Sequence, residues 1–221
     1  MAPKADPYEN LQYGMDQIHT AIRTAHGQIL KVARERDEAE LRRDLAAWLG
    51  YVGAWVELLG HHHDIEEKAI FPRLKDKGCF VENEIEQHQA IHRHIDAMEA
   101  ALAEWRADPS TYSSARLVSL FEAIDKDLFE HLDDEVQKLL NPSNLRAHIN
   151  AQDITYIYTT AKKEADSIGN PAVDLPFLAI HTPPGEHKNF LGLPLFIRYT
   201  LLPFWYWQRS HIWKFAPYSL L

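Results

Sequence analysis

The stretch Gly60-His61-His62-His63-Asp64-Ile65-Glu66-Glu67 sets three consecutive imidazoles just ahead of Asp64, Glu66 and Glu67. Such a run suits neither an apolar core nor a merely solvated face. On a helix, His62 and Glu66 are four residues apart and share one face, as do His63 and Glu67 one step round. Only one of these pairs is then expected to point into a core, and that pair is half of a metal site.

The flanking residues choose between the pairs. Leu45, Trp48, Leu49, Val52, Trp55, Val56 and Leu59 form an apolar stripe at helical spacing over residues 38–71, with Pro72 as the expected end. Trp48 and Trp55 precede His62 by two heptads and by one, so this register turns His62 and Glu66 inward. His61 and His63 are expected as flanking, partly exposed residues.

Three further histidine clusters can complete the site. Residues 8–36 carry Leu11, Met15, Ile18, Ile22, Ile29 and Val32 at helical spacing, together with His19 and, two turns on, His26. Residues 81–105 align Ile85, His88, His92, Ile95, Met98 and Leu102, with Glu84 one turn before His88. Residues 113–140 align Leu117, Leu120, Phe121, Ile124, Leu128, His131, Glu135 and Leu139. The pairs His88/His92 and His131/Glu135 repeat the i, i+4 spacing. Nitrogen and carboxylate donors with Cys79 as the single sulfur suit iron, manganese or zinc and argue against an iron–sulfur centre.

Four long helices joined by short turns make an all-α, up-down-up-down four-helix bundle. In that topology the start of the first helix, the end of the second, the start of the third and the end of the fourth share one end of the molecule. His19, His62, His88 and His131 then fall at one level, whereas His26 lies about two turns, roughly 10 Å, too deep. Asn141-Pro142 resembles a cap and first helical residue, opening a fifth helix to about residue 168 before Gly169. From residue 170 the chain is rich in proline and rings: Phe177, Phe190, Phe196, Phe204, Trp205, Trp207, Trp213 and Phe215. The organisation expected is a bundle over 8–141 and a C-terminal helix with an aromatic extension over 142–221, packed on the bundle. Because the fourth helix ends beside the site, two roles stay open for the tail: to bury its rings against the bundle end, or in addition to cover the open metal position as a lid.

Composition narrows the partners. A formal charge of -9, a pI near 5.8 and no lysine or arginine block speak against nucleic acid and against an anionic membrane. A single cysteine and the lack of an apolar h-region in the first ten residues point to a cytoplasmic location. The apolar run 193–207 carries Arg198 and is interrupted by Pro194 and Pro203, so no membrane span is expected.

His19, His62-His63-Asp64-Ile65-Glu66-Glu67 leading into Phe71-Pro72, His88 with His92, and His131 with Glu135 together resemble the hemerythrin family, in its HHE-type hemerythrin-like branch. The aromatic tail more loosely resembles the C-terminal region of fungal members. The resemblance implies a non-haem di-iron centre: His88, His92 and His131 on one iron, His19 and His62 on the other, and Glu66 and Glu135 as bridges. It also implies an open position for dioxygen or peroxide. Invertebrate oxygen carriers place an aspartate five residues after the last histidine, where this chain has Val136, so Glu135 must serve instead.

Two function classes share this ligand set. One is an oxidoreductase that activates dioxygen or peroxide, with a small apolar substrate under the aromatic tail. The other is a non-enzymatic oxygen or iron binder acting as store, carrier or sensor. A zinc or purely structural site is a third reading. No catalytic residue beyond the ligands is named by the sequence.

Overall fold

The computed structural model describes residues 6–186 and 193–220. Phe190, counted above among the tail aromatics, lies outside them. Among the described residues the chain is all-helical, with no strand. Helix α1 (Pro7–Glu35) starts where Asp6 accepts from the backbone N–H groups of Tyr8 and Glu9, with Pro7 in the first turn. A short α2 (Glu38–Arg43) turns at Asp44 into α3 (Leu45–Ile65). A π-helical segment, Glu66–Ile70, then leads into α4 (Phe71–Asp76). Helix α5 (Glu82–Ala107) is the third long element. The fourth is divided into α6 (Ser114–Ala123), α7 (Asp125–Asp134) and a second π segment, Glu135–Leu139.

These elements pack as a closed ring, α1 on α3, α3 on α5, α5 on α6 and α7, and α6 on α1. This is the four-helix bundle with the connectivity expected from short turns. Pro72 does not end the second helix. The proline has no N–H and its ring crowds the carbonyl four residues back, and the wider π turn just before it lets the chain continue to Asp76. Gly78, at φ 86°, then makes the turn.

The expected fifth helix is two helices, α8 (Pro142–His148) and α9 (Ala151–Ile168). The break falls at Ile149-Asn150, where Ile149 is buried and the Asn150 side chain caps a new helix at the N–H of Asp153. Helix α9 packs along the π segment Glu66–Ile70, α1 and α3. Beyond it lie α10 (Pro171–Ile180), a third π segment, Ile197–Leu201, then α11 (Leu202–Gln208) and α12 (Ser210–Trp213).

Two apolar clusters result. The larger joins Ile22 and Ile29, Trp48, Trp55 and Leu59, Ile91 and Ile95, and Phe121, Leu128 and Leu132. The smaller caps one end of the bundle with Leu11 and Met15, Ile70, Phe71 and Leu74, Val81, Val136 and Leu139, and Leu145, Ile154 and Ile157 from α8 and α9. Each long helix crosses from one cluster to the other through a polar residue: His19, His62 and His63, His88, and His131.

Among the described residues the tail packs away from this polar layer. Trp213 and Phe215 are buried in the larger cluster, with Phe215 edge-on to Trp48. Gln28 donates to the Phe215 carbonyl, and Tyr51 meets His181 of the extension at 2.6 Å. Trp48 and His62 are fourteen residues apart on one continuous helix, roughly 20 Å at about 1.5 Å per residue. Among the described residues, it is α9 that lies over the layer.

Candidate metal centre

The four helices bring His19, His62, His63, Glu66, His88, His131 and Glu135 into one buried layer, each 6 % exposed or less. Their donor atoms fall into two groups, each held within 4.8 Å: His19, His62, Glu66 and Glu135, and His63, Glu66, His88 and His131. Glu66 belongs to both. Its Oε1 lies 3.0 Å from His62 Nε2 and its Oε2 lies 3.4 Å from His88 Nε2.

His63 departs from its expected placement. It is fully buried, its ring stacked on His88 at 4.1 Å and set edge-on to His131 at 5.3 Å. The expectation that a single pair could face inward assumed a site one ligand group wide. Consecutive helical residues point about 100° apart, and a layer two groups wide takes both, His62 toward His19 and His63 toward His88. His92, by contrast, is one-third exposed and belongs to neither buried group, but its donor lies with those of Glu67 and His88 in a third group that shares His88 with the buried layer. Its Nε2 lies 3.3 Å from Glu67 Oε1, at the layer's outer edge. His26 is buried between Trp55, Phe121 and Phe129, with Nε2 3.0 Å from the Phe121 carbonyl and 3.0 Å from Asp125 Oδ1. Glu84 is buried one turn before His88 but joins neither group.

The outer nitrogens decide which inner ones carry lone pairs. His19 Nδ1 lies 3.0 Å from the Leu132 carbonyl, which can only accept, so Nδ1 donates to it and Nε2 faces inward. His88 Nδ1 likewise donates to Glu67 Oε1 at 2.9 Å, and His131 Nδ1 lies 3.3 Å from Gln87 Oε1, so both rings also turn Nε2 inward. The inner nitrogens then approach one another closely, His19 Nε2 to His62 Nε2 at 3.1 Å and His88 Nε2 to His131 Nε2 at 3.1 Å. Two ring nitrogens this close need either a proton or a metal cation between them. Metal bonds of about 2.1 Å put adjacent ligand atoms of one coordination shell roughly 3 Å apart, the spacing seen here.

The layer is otherwise poorly satisfied. Both ring nitrogens of His63 and both carboxylate oxygens of Glu66 and of Glu135 are buried without a hydrogen-bond partner. Such groups are costly to bury unless something compensates. Burial, followed by repulsion from neighbouring imidazoles, holds His62, His63 and His131 well below the usual histidine range. Burial also opposes charge on His88, but the carboxylates of Glu66 and Glu67 outweigh it and raise its pKa to about 9. Burial and the nearby Glu135 push the Glu66 carboxyl up. Three imidazoles held neutral, two buried carboxylates and a pull toward positive charge at His88 fit a metal cation.

Of these residues, sequence reasoning passed over His63 and the outer partners Glu67, Gln87 and the Leu132 carbonyl. The i, i+4 spacing of His63 and Glu67 was visible, but Gln87 and a backbone carbonyl carry no sequence signal.

Comparison with known proteins adds two findings. A family model described as the Hemerythrin HHE cation binding domain matches residues 10–141. The dimeric xanthone biosynthesis cluster protein R11 of Cryptosporiopsis sp. (strain 8999) is 26% identical over 217 residues, covering 92% of this chain and 76% of that protein. No solved structure matches.

Proposed function

This chain belongs to the hemerythrin HHE cation binding family, and on that premise we propose that its histidine–carboxylate layer holds two iron ions that react with dioxygen or peroxide. The observation that supports this best is Glu66, which turns one oxygen toward each ligand group. One ion would be held by His19, His62, Glu66 and Glu135, the other by His63, Glu66, His88 and His131. The seven-ligand set implied by the family resemblance is thereby amended at one position, with His63 in the place given to His92. When bound, the pair would supply one-electron redox chemistry toward a small oxidant. The chain's own part is to orient and to exclude: the Leu132 carbonyl, Gln87 and Glu67 hold three imidazoles in their ligating tautomers, and the apolar clusters on both sides keep water out.

For the enzymatic reading, the related cluster protein's name motivates the substrate class, a small apolar aromatic molecule. A second observation favours the reading as an oxygen or iron binder. The ligand groups are buried, and the cleft of about 220 Å³ beside Gln87 is lined by Asn83, Glu86, Ala90, Asp127 and Glu130, which suit no apolar substrate. Anaerobic reconstitution with iron, followed by metal analysis and Mössbauer spectroscopy, tests the metal content; a single ion per chain or a preference for zinc refutes the di-iron assignment. Stopped-flow exposure of the reduced protein to oxygen then separates the two readings, because rapid irreversible oxidation marks an enzyme and a slow reversible spectral change marks a binder.

A further inference from the structure

Of the large apolar side chains that stand exposed, five fall within thirteen residues of the extension: Leu195, Phe196, Tyr199, Phe204 and Trp207, each 50–72% exposed. They are not on a loose end. Leu202 of the same run is buried, as are Trp213 and Phe215 just beyond it, so the segment is anchored by one side and presents the other. Phe196 and Tyr199 are three residues apart, as are Phe204 and Trp207, whose rings stack at 6.4 Å. The five-residue step between the pairs matches the i→i+5 turn of the π segment Ile197–Leu201, which keeps the rings near one line.

Charge is distributed to match. Residues 187–221 contain four Lys/Arg and no Asp or Glu, whereas residues 1–186 carry 19 Lys/Arg against 32 Asp/Glu. Arg198 lies within the aromatic run and Arg209 just after it. Among the described residues no helix is long and apolar enough to cross a membrane. Aromatic rings with cationic neighbours on a non-spanning helix are the pattern of a segment that lies in the plane of a bilayer interface.

We propose that this aromatic, acid-free face of the π segment and α11 docks the protein on the surface of an anionic lipid bilayer. The acidic body is repelled by such a surface and the extension attracted, so the molecule lands in one orientation with the bundle facing away from the lipid. The whole-chain charge, which argued against an anionic membrane, averages over this asymmetry.

Flotation of the full chain with vesicles tests this, using phosphatidylcholine alone and an equal mixture of phosphatidylcholine and phosphatidylserine. Binding to the mixture is expected to be stronger by roughly 30-fold, about the contribution of two arginines. The variant Phe196→Ser, Phe204→Ser, Trp207→Ser should lose binding to both, and Arg198→Gln with Arg209→Gln should lose only the preference for the anionic mixture. The arginine pair keeps every ring, so it carries the test even where the ring variant unfolds. Absence of wild-type binding, or binding unchanged in the arginine variant, overturns the proposal. A wild-type dimer in light scattering that the ring variant dissociates, without vesicle binding, overturns it in favour of a second copy of the chain.

Discussion

Glu66 and Glu135 stand in matching places on opposite helices: each follows an inward histidine by four residues, His62 or His131, and each is the first residue of a π-helical segment. The carbonyl of Glu66 accepts from Phe71 and that of Glu135 from Leu140, one residue later than an α-helix would allow. π turns of this kind are rare in proteins and recur at functional sites. Here they widen the helix at the two carboxylates that complete the layer.

Replacing His63 and His92 by alanine separates the two ligand sets. His63→Ala should retain about half the iron or less, because one group loses a donor. His92→Ala should retain nearly all of it. Metal analysis of both variants after identical reconstitution is the check, and the reverse pattern would restore His92 to the site.

Gln87 Oε1 lies 3.3 Å from the outer nitrogen of His131, and Gln87 itself is in neither ligand group. Gln87→Ala should weaken iron binding by roughly 10- to 100-fold while leaving the helical content unchanged. Competition against a calibrated chelator measures the first and circular dichroism the second.

Removing the metal should destabilise the fold, because the orphaned oxygens of Glu66 and Glu135 and both nitrogens of His63 lose their compensation. A ligand present at a thousand times its dissociation constant contributes about 4 kcal/mol. For a chain of this size that is a fall in Tm on the order of 10 °C on chelation. Coincident melting curves with and without iron would place the cluster in water.

The metal-free protein should be most stable near neutrality. His62, His63 and His131 have folded-state pKa values below the ordinary 6.5, so the unfolded chain takes up more protons and stability falls as pH drops below about 6.5. His88 and Glu66 are shifted upward. The contribution of protonated His88 is complete below pH 6.5 and is lost as pH rises through about 9, while that of the neutral, buried Glu66 carboxyl is complete below about 4.5 and is lost as pH rises through about 8. Iron should flatten the alkaline limb, since the cation takes over the role of the proton. Thermal melts from pH 5 to about 10, with and without iron, test both limbs.

Phe215→Ala should leave the iron content unchanged and lower stability by about 3 to 5 kcal/mol, because it empties a buried site against Trp48 and Tyr51. A loss of iron in this variant would bring back the aromatic tail as a lid.

The helical periodicity and the placement of His19, His62, His88 and His131 made the bundle and the level of the layer legible in the sequence, because both depend on spacing along single helices. Asn141-Pro142 and Gly169 likewise marked helix ends through local backbone chemistry. What depended on relations between helices was not legible. His63 turns inward because two ligand groups lie side by side, and the width of that layer is set by four helices at once. Gln87 and the Leu132 carbonyl matter only through the imidazoles brought against them. Pro72 read as a helix end, since a π turn that carries the chain past a proline has no signature in spacing. The tail's destination was decided by packing: the buried faces of Trp48 and Tyr51 accept Phe215, Phe177 and His181, and apolar complementarity of that kind forms only once the bundle exists.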